Sequence, residues 1–110
     1  MATFTETNLS HGLITNGTDT LYTVPALMTA IVKDIHICNT SAAAATITIW
    51  IDPNGTSATD AEAVFKTFNV PANDFVHWSG FIVMAAAATI KATAGTTNVL
   101  AVTINGAILT

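Results

Sequence analysis

The stretch Leu21–Ile51, LYTVPALMTAIVKDIHICNTSAAAATITIWI, decides the fold class. Its second half alternates strictly, with Ile47, Ile49 and Ile51 on one face of an extended chain and Thr46, Thr48 and Trp50 on the other. Side chains of a strand repeat every two residues, so this is the pattern of a half-buried antiparallel strand. The first half, Thr29–Cys38, puts Ile31, Ile35 and Ile37 on one face, interrupted by Lys33, and Asp34 and His36 on the other. Asn39-Thr40-Ser41 supplies turn residues between the halves, so the stretch reads as a β-hairpin. Trp50, out of phase with the isoleucines, then points away from the core.

The composition carries this reading outward. Val, Ile and Thr make up 39 of 110 residues, and branched Cβ atoms favour a pleated surface. The alanines are bunched in runs of four. Such a run beside β-branched residues falls short of the ~12 residues an unsupported helix needs. A chain of this length makes one domain with a real core.

Residues 1–10 hold only Phe4 and Leu9 as large apolar anchors and read as an arm or a weak first strand, leaving 11–110 as the sandwich domain. Asn16-Gly17 between extended segments is a hairpin signal, and Pro25 ends the ladder that follows. Asp52-Pro53-Asn54-Gly55 is a turn. Thr59 and Glu62 have capping-box spacing, within what is otherwise expected to be a polar loop. Ala63–Val70 is a strand with Phe65 and Phe68 on opposite faces. Phe75–Ser79 and Phe81–Met84 follow, separated at Gly80 by a bulge or corner. Thr89–Ala94 and Asn98–Leu109 are the last strands, the second interrupted at Asn105-Gly106 by a tight hairpin or a kink. Val24-Pro25-Ala26 followed by AAAATI at Ala42–Ile47 is echoed by Val70-Pro71-Ala72 followed by AAAATI at Ala85–Ile90. Either a duplicated β module or alanine-rich low complexity produces this echo. Two similar modules suit an all-β, single-domain antiparallel β-sandwich of two Greek keys, the jelly-roll arrangement.

Three Lys, no Arg and seven acidic residues give a net charge of −4. Nucleic-acid binding needs a basic stripe that this chain does not have, and a membrane-surface role fails for the same reason. The start, MATFTETNLS, lacks the basic and apolar segments of a secretory leader. The single Cys38 reads as a small core residue of a protein folded in a reducing cytoplasm. His11, His36 and His77 show no metal-ligand spacing, and Asp34 with His36 on one strand face is the nearest approach to a metal pair. Ser79, His77 and Asp74 lack a nucleophile elbow. Cys38 beside His36 lacks an orienting group. No enzyme activity, metal or cofactor is expected. The Asn-x-Ser/Thr triplets at Asn8, Asn16, Asn39 and Asn54 are explained by turn chemistry.

The aromatics are more informative. Trp50, Phe65, Phe75, Trp78 and Phe81 are more than one inner face can bury, and aromatic residues are enriched at interface cores. Phe4, Trp50, Phe75, Trp78 and Phe81 are therefore candidate interface residues, with packing under the N-terminal arm as the alternative.

The run L-Y-T-V-P-A, then A-I-V-K-x-I-x-I-C-N-T-S, an alanine and threonine strand, and later V-P-A-N before an apolar strand resembles the short β-sandwich virion proteins of tailed bacteriophages. The resemblance spans Leu21–Ala94. It departs from the commoner pattern in having Leu27-Met28 where a turn glycine is frequent and Ala86-Ala87 where Gly-Asp is usual. It implies a structural virion protein, a decoration or cement protein binding the major capsid protein on the capsid exterior and assembled in the bacterial cytoplasm. A homotrimer is expected, with a dimer as the second choice. The alternative is a tail, neck or fibre accessory, or a module binding a host glycan through Trp50 or Trp78.

Overall fold

The computed structural model describes residues 3–53 and 58–109; Asn54 and Gly55 of the expected turn lie outside them. Eight strands run through the described residues: β1 (Phe4–Leu13), β2 (Asp19–Thr23), β3 (Thr29–Asn39), β4 (Ala45–Asp52), β5 (Ala63–Val70), β6 (Phe75–Met84), β7 (Thr89–Ala94) and β8 (Leu100–Leu109). They form two antiparallel sheets, sheet A in the order β1-β8-β3-β6 and sheet B in the order β2-β7-β4-β5. Every connection except β4–β5 crosses between the sheets. That is the eight-stranded jelly roll of two Greek keys.

This topology corrects the hairpin reading of Leu21–Ile51. β3 lies between β8 and β6, while β4 lies between β7 and β5 in the other sheet. The turn residues between them build a corner. Asn39 is buried, and its Nδ2 donates to the carbonyls of Ala43 (2.9 Å) and Val70 (3.1 Å). Its Oδ1 accepts from the Ser41 amide (2.9 Å) and hydroxyl (2.8 Å). Asn16-Gly17 likewise joins strands of different sheets, the bend being held by Asp19, whose carboxylate accepts from the Thr15 amide (2.7 Å) and hydroxyl (2.8 Å). Turn chemistry marks where a chain reverses and carries no information on which sheet it enters.

Residues 4–10 belong to β1, which pairs with β8 from Phe4↔Leu109 to Leu13↔Ala101 and crosses the expected boundary at residue 10. The ladder satisfies backbone groups that a free arm would leave to water. Thr59–Glu62 closes as a single 3₁₀ turn rather than a polar loop, with the Glu62 carboxylate accepting from the Thr59 amide at 3.1 Å.

The core between the sheets is filled by Ile35, Ile37, Val102 and Ile104 from sheet A and Ile47, Ile49, Ile90 and Ala92 from sheet B. Burying each large aliphatic side chain contributes about 1.5–3 kcal/mol. Bulges then set which face each residue takes. On β3, Lys33 is an extra residue relative to β8, because Val32 pairs with Gly106 and Asp34 with Asn105. The inward phase therefore runs Ala30, Val32, then Ile35 and Ile37, and Ile31 falls on the outer side, contrary to simple alternation. Opposite Lys33, β6 carries two residues, Gly80 and Phe81, between Ser79 and Ile82, so β6 is one continuous strand with a bulge. β8 is also unbroken through Asn105-Gly106. A Cβ at Gly106 would collide with the Ile31 carbonyl oxygen, so glycine permits the close approach of β8 to β3. On β5 a shift near Thr67 (φ 48°) sets both Phe65 and Phe68 opposite inward isoleucines, and their rings meet edge to face at 5.7 Å.

The internal echo has a structural counterpart. β2, β3 and β4 visit sheets B, A and B, and so do β5, β6 and β7. Exchanging β2 with β5 and β4 with β7 leaves the order of sheet B unchanged, whereas exchanging β3 with β6 alters that of sheet A, so the correspondence holds for sheet B alone. The two VPA turns agree in detail, since the next residue, Leu27 or Asn73, is left-handed in both (φ 64° and 54°).

Candidate contact face

The bulges give the outer face of sheet A a definite set of side chains, in rows running β1, β8, β3, β6. One row is Leu13, Ala101, Cys38 and Phe75; the next is His11, Thr103, His36 and His77; the third is Asn8, Asn105, Asp34 and Ser79. Beyond Lys33 and Phe81 comes the row Glu6, Ala107, Ile31 and Val83, with Phe4 at the far corner. Five of the seven exposed large hydrophobics among the described residues stand here: Phe4, Leu13, Phe75, Phe81 and Val83. On β6 they are 58–67% exposed. Patches of this kind on a small domain mark contact surfaces.

Of the five candidate interface residues, this face gathers Phe4, Phe75 and Phe81. Trp78 faces the other way: it pairs with Ile35, packs against the core, and leaves no room for a Cβ at Gly80, which would lie 2.6 Å from the indole. Trp50 is on the outer side of sheet B, half-buried beside Lys91, with its indole nitrogen buried and unpartnered among the described residues. Next to it, Lys91 Nζ and the fully buried Asp52 carboxylate meet at 3.2 Å. Cys38, expected in the core, is half-buried on the outer face of sheet A. Sequence alternation missed Val83, Leu13 and the shared histidine row, since these follow from cross-strand register.

The polar part of the face spans all four strands, with a hydrogen-bonded chain across β1, β8 and β3 and His77 of β6 beside it. Asn8 Nδ2 donates to Asn105 Oδ1 (3.0 Å), and Asn105 Nδ2 donates to Asp34 Oδ1 (3.0 Å). His77 Nε2 is 3.9 Å from Asp34 Oδ2, His11 Nδ1 is 3.0 Å from Asn8 Oδ1, and the His36 ring stacks on Phe75 at 5.2 Å. Lys33 and Glu6 form an exposed ion pair at 3.7 Å beside a shallow depression of about 360 Å³ that they line together with Asp34 and Asn105. Nearby Asp74 is engaged locally, accepting from the Phe75 amide at 2.7 Å. Among the described residues, no three His, Cys, Asp or Glu side chains are gathered to hold a metal ion, and no helix is long and apolar enough to cross a membrane. The face thus carries a polar band, the histidine row and the hydrogen-bonded Asn8–Asn105–Asp34 set, between two groups of exposed hydrophobics.

No protein-family profile and no curated protein matches the chain. Among solved structures it is similar to a chain in the structure of infectious bursal disease virus, Gx strain, with a TM-score of 0.52 and 13% identity over 98% of this chain and 32% of that one. A chain in the Gt strain structure of the same virus gives a TM-score of 0.43 and 9% identity, over 98% of this chain and 31% of that one. The protein thus spans about a third of the length of the chains it resembles. At these identities the likeness is one of fold, and the Gx comparison supports the β-sandwich architecture.

Proposed function

We propose that the chain is a structural protein of a virus particle and, more narrowly, a decoration protein on the exterior of a tailed-bacteriophage capsid. The observation that carries the wider reading is the strand order of the jelly roll, a fold of viral capsid domains among others and one shared in outline with a chain of a virus structure. The narrower reading is supported by the sequence resemblance of Leu21–Ala94. Its work is mechanical rather than enzymatic, without cofactor, nucleic acid or membrane as partner. Its partners are the major capsid protein and copies of itself.

The end of the sandwich built by the β2–β3 and β6–β7 turns is suited to the shell. The turns are tied together by Val24 and Ala88, whose amide and carbonyl meet at 2.9 Å, and they carry no charge. Leu27 and Ala87 sit there in left-handed conformations (φ 64° and 70°), within the pairs Leu27-Met28 and Ala86-Ala87, where the resemblance leads one to expect a turn glycine and Gly-Asp respectively. A left-handed L-residue costs roughly 1–2 kcal/mol, and Leu27, 98% exposed, recovers nothing by burial within the chain. Strain without internal compensation points to function; here Leu27 would enter an apolar recess of the capsid protein.

The test is heat and low-salt stability of particles with and without the protein. Particles without it should release their genome at lower temperature, and added wild-type chain should restore them. Unchanged shell stability, as expected of a neck, tail or fibre component, would overturn the decoration reading.

A further inference from the structure

All three histidines of the chain stand in one cross-strand row on the outer face of sheet A, joined by the registers His11↔Thr103, Thr103↔His36 and His36↔His77. The row lies between Phe75 on one side and Phe81 and Val83 on the other, within the patch of exposed hydrophobics. We propose that this face packs against the same face of a second copy of the chain, and that protonation of the histidine row releases the contact. The inference rests on the reading of this face as a contact surface and names its occupant and its control.

Area and charge favour a second copy. Four strands ~4.8 Å apart and about ten residues long at ~3.3 Å each cover roughly 600 Å² in projection, near the ~800 Å² that each partner buries in a stable interface once side-chain relief is included. Glu6 and Asp34 against Lys33 leave this face one negative charge of the chain's net −4, so its own image is scarcely repelled. A single concentrated patch suits a two-fold contact, which uses the same surface on both copies. The trimer expected from the sequence would need two different complementary patches.

The same inventory gives the switch its sign. In the contact the imidazoles lose water, and burial disfavours their charged form. Full protonation changes the face from one negative charge to two positive, and two such faces would oppose each other. The groups facing the row cannot compensate. β3 presents Asp34, Lys33 and the Cys38 thiol; β1 presents Glu6, which is paired with Lys33. β8 presents only Ala101, Thr103, Asn105 and Ala107; β6 adds no charge beyond His77. One carboxylate near His77 serves three imidazoliums.

Sedimentation velocity of the full chain tests this at about pH 8 and about pH 5, either side of the ordinary imidazole range near 6.5, with circular dichroism confirming the fold at each. Wild type should be dimeric at the higher pH and monomeric at the lower. H11Q/H36Q/H77Q should stay dimeric at both, and F75S should be monomeric at both. Because release and protonation are linked, the imidazole titration midpoints read by NMR in wild type should fall as protein concentration rises, a measurement that needs no variant. A dimer unaffected by pH, acid dissociation of the triple variant, or concentration-independent midpoints would overturn the proposal. A wild-type monomer at both pH values would remove the second copy as occupant while leaving the role on the particle to its own test.

Discussion

Replacing Gly106 by alanine tests the packing of sheet A at its tightest point. Gly106 pairs with Val32 where β8 meets the Lys33 bulge, and the new Cβ would collide with the Ile31 carbonyl oxygen and approach Leu9 Cδ1 at 3.1 Å. The obstructing atom is backbone, so no rotamer change can relieve the clash. β8 must move off β3, giving up about two ladder hydrogen bonds at roughly 1 kcal/mol each, on top of ~1–3 kcal/mol for overpacking. The expected loss is about 3–5 kcal/mol, a large share of the roughly 5–15 kcal/mol of a typical domain. At ~4 °C per kcal/mol for a chain of this size, Tm should fall by about 12–20 °C. Thermal unfolding followed by circular dichroism measures it. Gly17→Ala is the control, since its Cβ would meet only the Thr15 hydroxyl, at 3.7 Å. A Gly106→Ala protein melting with the wild type would refute both the strand register and the reason for glycine there.

Three further outcomes follow from particular side chains. Tyr22, the chain's one tyrosine, has a buried hydroxyl without a partner among the described residues, and burial raises its pKa above the ordinary value of 10.0. The folded state therefore holds this proton more tightly than the unfolded state. Its contribution is intact below about pH 10 and is lost as pH rises through the folded-state value; denaturant melts should show that Tyr22→Phe removes this share of alkaline destabilisation. Asn39→Ala strips the buried corner of its bonds to Ala43, Val70 and Ser41 and should lower stability by about 2–4 kcal/mol in urea melts, leaving buried groups unpaired. Leu27→Asn suits the left-handed turn, because asparagine tolerates that conformation; thermal or urea melts should show the free chain gaining about 1 kcal/mol as the strain on Leu27 is relieved, while co-sedimentation with particles should be lost.

What the sequence conveyed was governed by range. Strand periodicity is local, and Ile47, Ile49 and Ile51 face the core as their alternation requires. The jelly-roll class also followed from the succession of short strands and turns. Pairing partners depend on residues far apart in the chain, so Asn39-Thr40-Ser41 looked like a hairpin turn although it is an intersheet corner. Bulges broke the period silently: one extra residue at Lys33 turned Ile31 outward, and Trp78 faces inward because β6 takes its phase from β3. The contact face suffered most, since its rows are assembled across four strands. Phe75 and Phe81 were found by composition, whereas the meeting of His11, His36 and His77 could be seen only in the register. Gly80 was legible as a break in pattern, and Leu27-Met28 and Ala86-Ala87 as pairs standing where a turn glycine and Gly-Asp are usual.

The central claim, a structural protein of the capsid surface, is tested most directly by the copy number of the chain in purified particles, counted by quantitative mass spectrometry against the major capsid protein. The account predicts hundreds of copies per particle, at a fixed ratio to the shell subunit. A handful of copies, or none, would contradict it.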